Sequence, residues 1–470
     1  MKQKKIIFYE LNEVPYRIFD HFAKLMPGSS LGILQNRARR YETHAEDSGH
    51  LSPWITWPTL HRGVSNDDHE ISDFGMDLQH VDKEFPPLWQ ILSKAGAKVG
   101  LFGSLHSYPL PDNVSDYAFY VPDTFAAGPE CFPKKFEAFQ NFNLIMAGMN
   151  GSQVTNSIAL KEAGQFLLAA PGLGLRGKTV GKLAGQLLAE RRTPARSVRR
   201  RTSQTQISFD FFYKALRQNK PDVSFFFTNH VASSMHRYWP ALFPQDYDTL
   251  NFEQPWLDTW AGEIPFVMQE AEEQLSLLLR FVAANPDYLL AVTTSMGQAA
   301  VEGRNRVERI VTIDNLRNLM RGLGVPDEDW EKRPAMVPQF VVAVSEAPRQ
   351  RFLQNIGGLS INGRSIQIDD LGENVIRMEF SIANEHLEQV TYKGETADPK
   401  TFGLTCMELL DAAGANAYHV PDGMLMVYDH LSPEAQRMNP MKISTREIAP
   451  AVLQNFGVTP PGYMEQAFTL

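Results

Sequence analysis

Ile6-Ile7-Phe8-Tyr9-Glu10-Leu11-Asn12-Glu13 reads as a buried strand that ends in polar residues. It follows the charged start Lys2-Gln3-Lys4-Lys5 and is continuously apolar up to Glu10. A short, unbroken apolar run is what a parallel strand covered on both faces requires. The run is too short for a signal-peptide core and far too short to span a bilayer. Lys98 to Leu105, Asp222 to Thr228 (opened by Pro221), Tyr288 to Thr294 and Gly423 to Tyr428 read as further strands. Leu88 to Ala95 has helical spacing and is stopped by Gly96. Ile264 to Ala284 reads as a long amphipathic helix with Glu270, Glu272 and Glu273 on its solvent side. Strands separated by helices predict an α/β protein with a doubly wound, mostly parallel central sheet flanked by helices.

Two segments interrupt that alternation. Residues 128–215 are helical in pattern and read as a helical cap insertion; 336–400 alternate apolar and polar residues around the turn signal Asn362-Gly363 and read as a small β-rich insertion. The core is then expected in 1–127, 216–335 and 401–470. With 470 residues, 43% of them hydrophobic, the chain can bury a large interior. A formal net charge of −9 argues against broad binding to nucleic acid or to anionic lipid. Cys131 and Cys406 form no CxxC pair and read as reduced thiols, and no stretch is long and apolar enough to span a bilayer. A soluble, cytoplasmic protein, at most peripheral to a membrane, is the expectation. The basic run from Arg191 to Arg201 has two readings, a solvated loop or a clamp for a polyanionic substrate or lipid head group.

Sites in open α/β sheets lie at the carboxyl ends of strands. The polar residues there are Glu10, Asn12 and Glu13 after the first strand, Asn229, His230 and His236 after the third, Ser295 and Gln298 after the fourth, and His419 before the fifth. Trp54-Ile55-Thr56-Trp57-Pro58 adds a hydroxyl two residues before a proline. That spacing places Thr56 at or near a helix N-cap with Pro58 in the first turn, where free N–H groups would hold an anion beside a nucleophile. A plain structural cap is the alternative.

Together these residues resemble the alkaline phosphatase superfamily, most closely its nucleotide pyrophosphatase/phosphodiesterase branch. The similarity rests on Thr56-Trp57-Pro58, Gly63, His69-Glu70-Ile71, Phe225 to Tyr238, Thr294 to Gly297, His419 and Glu447 to Leu453, in family order. It implies an alkaline-phosphatase-like core, with Thr56 as nucleophile, Glu10 as base or ligand, and Asn229 beside them. The family pattern holds two metals on three aspartates, three histidines and the nucleophile. Here Ala232, Ser295 and Met296 stand at three ligand positions, and Glu stands for Gly at Glu70. One carboxylate cannot balance two divalent ions, and a thioether is too soft a ligand for them. The expectation is therefore one divalent ion, zinc or manganese, on His236 and His419, and not a full two-metal centre. Asn12, His230 and Gln298 are expected to bind substrate. The function implied is phosphoryl transfer or phosphate-ester hydrolysis on a small-molecule or glycan-linked anionic substrate, such as a sugar- or lipid-linked phosphate. The alternative is a catalytically degenerate relative that binds an anionic glycan, nucleotide or protein partner.

Overall fold

A computed structural model describes residues 4–74, 76–149, 160–303, 306–333, 335, 339–372, 374–432 and 440–470. The boundary expected between 335 and 336, and the middle of the segment expected to be a helical cap, touch residues outside this set. The chain divides into two compact units. One comprises Met1–Ile145, Ser157–Arg304 and Ala415–Leu470, the other Met146–Asn156 and Asn305–Gly414.

The first unit is built on an eight-stranded sheet and a two-stranded ribbon. In chain order the strands are β1 (Lys5–Leu11), β2 (Arg39–His44), β3 (Val99–Phe102), β4 (Phe119–Val121), β5 (Val223–Thr228), β6 (Tyr288–Thr293), β7 (Gly297–Ala300), β8 (Ala417–Val420), β9 (Asp422–Asp429) and β10 (Met441–Ser444). The sheet order is β10-β2-β9-β6-β1-β5-β3-β4, and β7 pairs with β8. Only β9 runs antiparallel to its neighbours; the other neighbouring pairs in the sheet are parallel. This is the expected α/β class, a large and mostly parallel sheet flanked by helices. The five strands expected from apolar runs are all present. The second is shorter than expected, because the chain turns at Gly103, whose φ is 82°. Three further strands complete the eight-stranded sheet: β2 carries Arg39, Arg40, Glu42 and His44, while β4 and β10 are short edge strands. Short or charged strands of this kind leave no apolar run to read.

Alternation along β1 sends Ile6, Phe8 and Glu10 to one face and Ile7, Tyr9 and Leu11 to the other. On the first face Phe8 stacks on Phe225 at 5.1 Å, beneath Trp57, Leu60 and Trp89 from the helices Pro53–Arg62 and Leu88–Lys94. On the second face the Tyr9 hydroxyl donates to Gln274 Oε1 at 2.8 Å on the helix Glu263–Ala284. Of the three acidic residues expected on the solvent side of that helix, Glu270 is buried, and Glu272 and Glu273 are half-buried and paired. Glu270 accepts from Lys182 Nζ at 2.6 Å and Gln206 Nε2 at 2.8 Å. Glu272 accepts from the backbone N–H groups of Ser30 and Leu31 at a helix start, at 2.9 and 3.0 Å. Glu273 accepts from Lys178 and Lys182. A second layer of helices covers this face, and the helix's own periodicity carries no signal of that layer.

The helices Glu137–Met149, Leu160–Leu173, Gly177–Arg192 and Arg201–Asn219 lie between β4 and β5. Within the basic run Arg199 forks onto Glu263 at 2.7 to 3.0 Å and Arg200 binds Glu190. In the second unit Gln367–Gly372, Val375–Glu379, Gln339–Val344 and Trp330–Arg333 form an antiparallel sheet over Val342, Phe352, Ile376 and Met378. The Asn362-Gly363 turn is formed: their φ angles are 48° and 76°, and Ile361 and Arg364 exchange backbone hydrogen bonds at 2.8 and 2.9 Å. Both cysteines are free thiols.

Candidate functional site

The parallel register Leu11↔Thr228 and Glu10↔Thr293 brings the carboxyl ends of β1, β5 and β6 side by side. Three chain segments leave from there. After β1 the backbone turns at Glu13, whose φ of 60° is in the left-handed region that favours glycine. Its carboxylate is held there by hydrogen bonds from the Asn12 and Gln298 amides. After β5 the helix His230–Leu242 starts at once and carries His236. After β6 comes β7, paired antiparallel with β8 so that Gln298 lies opposite His419.

These segments bring Glu13, His236 and His419 together. Glu13 Oε2 is 3.1 Å from His236 Nε2 and 3.4 Å from His419 Nε2. Gln298 Nε2 donates to the same oxygen, and Asn12 Nδ2 donates to Glu13 Oε1 at 2.7 Å. The Asn12 amide is itself fixed. Its Oδ1 accepts from Trp57 Nε1 at 2.7 Å, and its Nδ2 also donates to Asn229 Oδ1 at 2.8 Å. Glu13 is buried, whereas the His236 side chain is 25% exposed, so the cluster opens to solvent on the His236 side.

The two histidines are pinned through their other nitrogens. Nδ1 of His236 lies 2.7 Å from the carbonyl oxygen of Ala417, and Nδ1 of His419 lies 2.8 Å from that of Leu51. A carbonyl only accepts, so each Nδ1 carries a proton and each Nε2 is turned toward the carboxylate. Two lone pairs cannot face a carboxylate oxygen unless a proton or a cation lies between. With protons there, burial alone would raise the Glu13 carboxyl, but the charges and hydrogen bonds of His419 and His236 hold it well below the usual carboxylate range. Burial likewise opposes charge on His419, but Glu13 and the Leu51 carbonyl raise it above its ordinary value.

A cation fits the same three atoms. Zinc at about 2.0–2.2 Å from nitrogen and oxygen ligands in tetrahedral geometry sets those ligands about 3.3 Å apart. The observed 3.1 and 3.4 Å match that spacing, and all three ligand atoms lie within 4.8 Å of one another. Among the described residues this is the one such group. Two imidazoles and a carboxylate suit a borderline ion better than magnesium or calcium, which prefer oxygen shells. Peptide carbonyls behind each imidazole and amides behind the carboxylate are the usual outer support of such a centre.

The remaining expected site residues fall into two groups. Asn12, Gln298 and Asn229 belong to the cluster, the first two directly on Glu13 and Asn229 through Asn12. Glu10, Thr56 and His230 are engaged elsewhere. Glu10 is fully buried between His61 Nε2 and Ser104 Oγ, each at 2.7 Å. His230 lies between Thr228 Oγ1 at 2.7 Å and the Val267 carbonyl at 3.1 Å, and burial pushes its imidazole down to about 4. Thr56 is fully buried and shares a 2.7 Å hydrogen bond with Ser295 Oγ. It is not at the helix N-cap. Ser52 holds that position and Pro53 the first turn, so the helix starts a turn earlier than expected and the Thr56 N–H already donates to the Ser52 carbonyl at 2.9 Å. Pro58 lies inside the helix. Glu70, where the resembled pattern has Gly, has a φ of 54°.

Glu13 is the residue that sequence reasoning did not single out. Of the two carboxylates near the first strand's end, only Glu13 lies past the last paired residue, and loops beyond strand ends are where site residues concentrate.

No protein-family model matches the chain, and no curated protein sequence matches it. Solved structures do. Murine ectonucleotide pyrophosphatase/phosphodiesterase 5, in an inactive form in complex with AMP, is 9% identical over 98% of this chain and 97% of that one, with a TM-score of 0.40. The same murine protein in a second structure is 10% identical over the same shares with a TM-score of 0.39. The human counterpart is 9% identical over 99% of this chain and 98% of that one, also with a TM-score of 0.39.

Proposed function

We propose that the chain is a phosphate-ester hydrolase or phosphoryl-transfer protein with one divalent cation on Glu13, His236 and His419. The observation that supports this reading most is the approach of both pinned Nε2 atoms to one carboxylate oxygen. One carboxylate and two neutral imidazoles leave a divalent ion one positive charge in excess, and three protein ligands leave a coordination position open. An ion held by Glu13, His236 and His419 would supply Lewis-acid polarisation of a phosphoryl oxygen. The protein's own groups hold the anion's surroundings: the exposed Asn229 amide stands at the solvent side, and Gln298 and Asn12 keep Glu13 in place. Thr56 keeps its place as candidate nucleophile on the strength of its motif, and its Oγ must leave the bond to Ser295 to reach a substrate. A sugar- or lipid-linked phosphate is the proposed substrate class.

A second reading, anion binding without turnover, draws support from the complete burial of Thr56. A panel of phosphomonoesters, phosphodiesters and sulfate esters, assayed with zinc, manganese or magnesium, separates the two. The first reading expects metal-dependent turnover that drops by about 100-fold or more in Thr56→Ala and is retained in part by Thr56→Ser. Turnover at the wild-type rate in Thr56→Ala removes threonine from the chemistry. Binding of a phosphate ester with no turnover of any member favours the second reading.

A further inference from the structure

The helix Gly177–Arg192 sits in the fold with its polar side inward. Thr179 and Glu190 are buried, and Lys182 reaches in to Glu270 and Glu273. The outward stripe is apolar at helical spacing: Val180, Ala184, Leu187 and Leu188. Val180, Leu187 and Leu188 are 48, 57 and 58% exposed. An ordinary surface helix has the opposite arrangement, and contiguous apolar stripes left in water mark interaction surfaces. The preceding helix, Leu160–Leu173, adds Leu167 and Leu168 at 64 and 87% exposed, while Phe166 beside them packs inward on Phe142.

Charge says what covers the stripe. Between residues 173 and 201 there are nine Lys or Arg and one Glu, in a chain of net charge −9. Most of these cations have partners: Arg176 with Asp210, Lys178 with Glu273, Lys182 with Glu270, Arg199 with Glu263 and Arg200 with Glu190. Arg191, Arg192 and Arg196 are exposed, and no acidic partner for them is found among the described residues. They continue the apolar stripe at its carboxyl end. A second copy seated on this face would set these arginines against the same arginines in a parallel contact, or against the Arg176–Lys178 end in an antiparallel one, and the segment's one acidic residue, Glu190, is buried and paired with Arg200. An anionic bilayer would meet both features at once, with leucines in the acyl boundary and guanidinium groups at the phosphates.

We propose that Val180, Ala184, Leu187 and Leu188, with Arg191, Arg192 and Arg196, dock the chain on an anionic phospholipid surface. This is interfacial contact, since no described helix is long and apolar enough to cross a membrane. The chain's overall negative charge does not prevent it, because charges beyond a Debye length of about 8 Å are largely screened at physiological salt. The inference stands on surface residues alone and does not depend on the chemistry proposed above.

The test is flotation of the full chain with phosphatidylcholine vesicles, with and without phosphatidylglycerol. Binding is expected only to the anionic vesicles, and raising the salt should release it. Leu187→Ser combined with Leu188→Ser should weaken binding by about tenfold or more. Arg191→Ala, Arg192→Ala and Arg196→Ala should each weaken it about fivefold. All five side chains are exposed, so circular dichroism should be unchanged. The proposal is overturned by no binding to either vesicle, or by binding that the variants leave intact. It is equally overturned by a vesicle-free dimer in sedimentation velocity that the leucine pair variant abolishes, which would make a second copy the occupant.

Discussion

Glu10 and Glu13 leave the same strand three residues apart, and both are buried, yet their surroundings differ in kind. Glu10 is inside β1, on the face it shares with Ile6 and Phe8. One histidine and one serine close it off, and the His61 ring is packed against Trp57 and Trp89. Glu13 is past the end of the strand in a left-handed turn, under two histidines, one of which reaches solvent. Burial of a carboxylate is therefore no guide to its use. What separates the two is whether the groups around the carboxylate complete it or leave a position for something else.

The largest expected effect is on stability at the closed site. Glu10→Ala strands the buried His61 and Ser104 and should cost about 3–5 kcal/mol, read as a lowered midpoint in urea unfolding. Glu13→Ala should cost clearly less, because His236 can turn to water. Equal losses for both would erase the distinction. The next effect concerns cation affinity. Glu13→Ala should lower zinc affinity by about 100-fold, measured by competition with a chelator, whereas Glu10→Gln should leave zinc affinity unchanged if the protein folds.

pH dependence sharpens the contrast in metal-free protein. Glu13, held below its ordinary 4.5, contributes stability that is present above that value and lost as pH falls. His419, held above its ordinary 6.5, contributes stability that is complete below 6.5 and lost as pH rises through its folded value. Glu13→Gln should remove both limbs. His230, pushed down to about 4 from 6.5, loses stability over that window in wild type and variant alike, so the comparison is the difference between them. Zinc should reverse the alkaline limb, since ligation needs neutral imidazoles. A Glu13→Gln profile parallel to wild type in the absence of metal would contradict the ion pair. The smallest effect is expected at Gln298, whose amide supports Glu13 from the β7–β8 ribbon. Gln298→Ala should lower zinc affinity about tenfold with little change in the unfolding midpoint.

The sheet was legible because strands buried on both faces are continuous apolar runs, parallel in β1, β5 and β6 and antiparallel in β9. His236 and His419 were legible as a pair because both lie beside strand ends. Three things were not. The N-cap was misplaced because Thr56-Trp57-Pro58 drew the helix start, when Ser52, four residues before Thr56 and immediately before Pro53, takes the cap. The acidic residues of Glu263–Ala284 read as solvated because nothing in one helix's period announces the helices that cover it. Glu13 and Glu10 could not be separated by residue type. Only the point where the ladder ends, at Leu11, sends one into the sheet and the other into the turn.

The cation centre is tested by zinc or manganese content per chain, from elemental analysis after dialysis, in wild type and in the combined Glu13→Ala, His236→Ala and His419→Ala variant. One ion per chain is expected in the wild type and none in the variant, with circular dichroism unchanged. No bound ion in the wild type, or an ion retained by the variant, would contradict a cation centre on these residues.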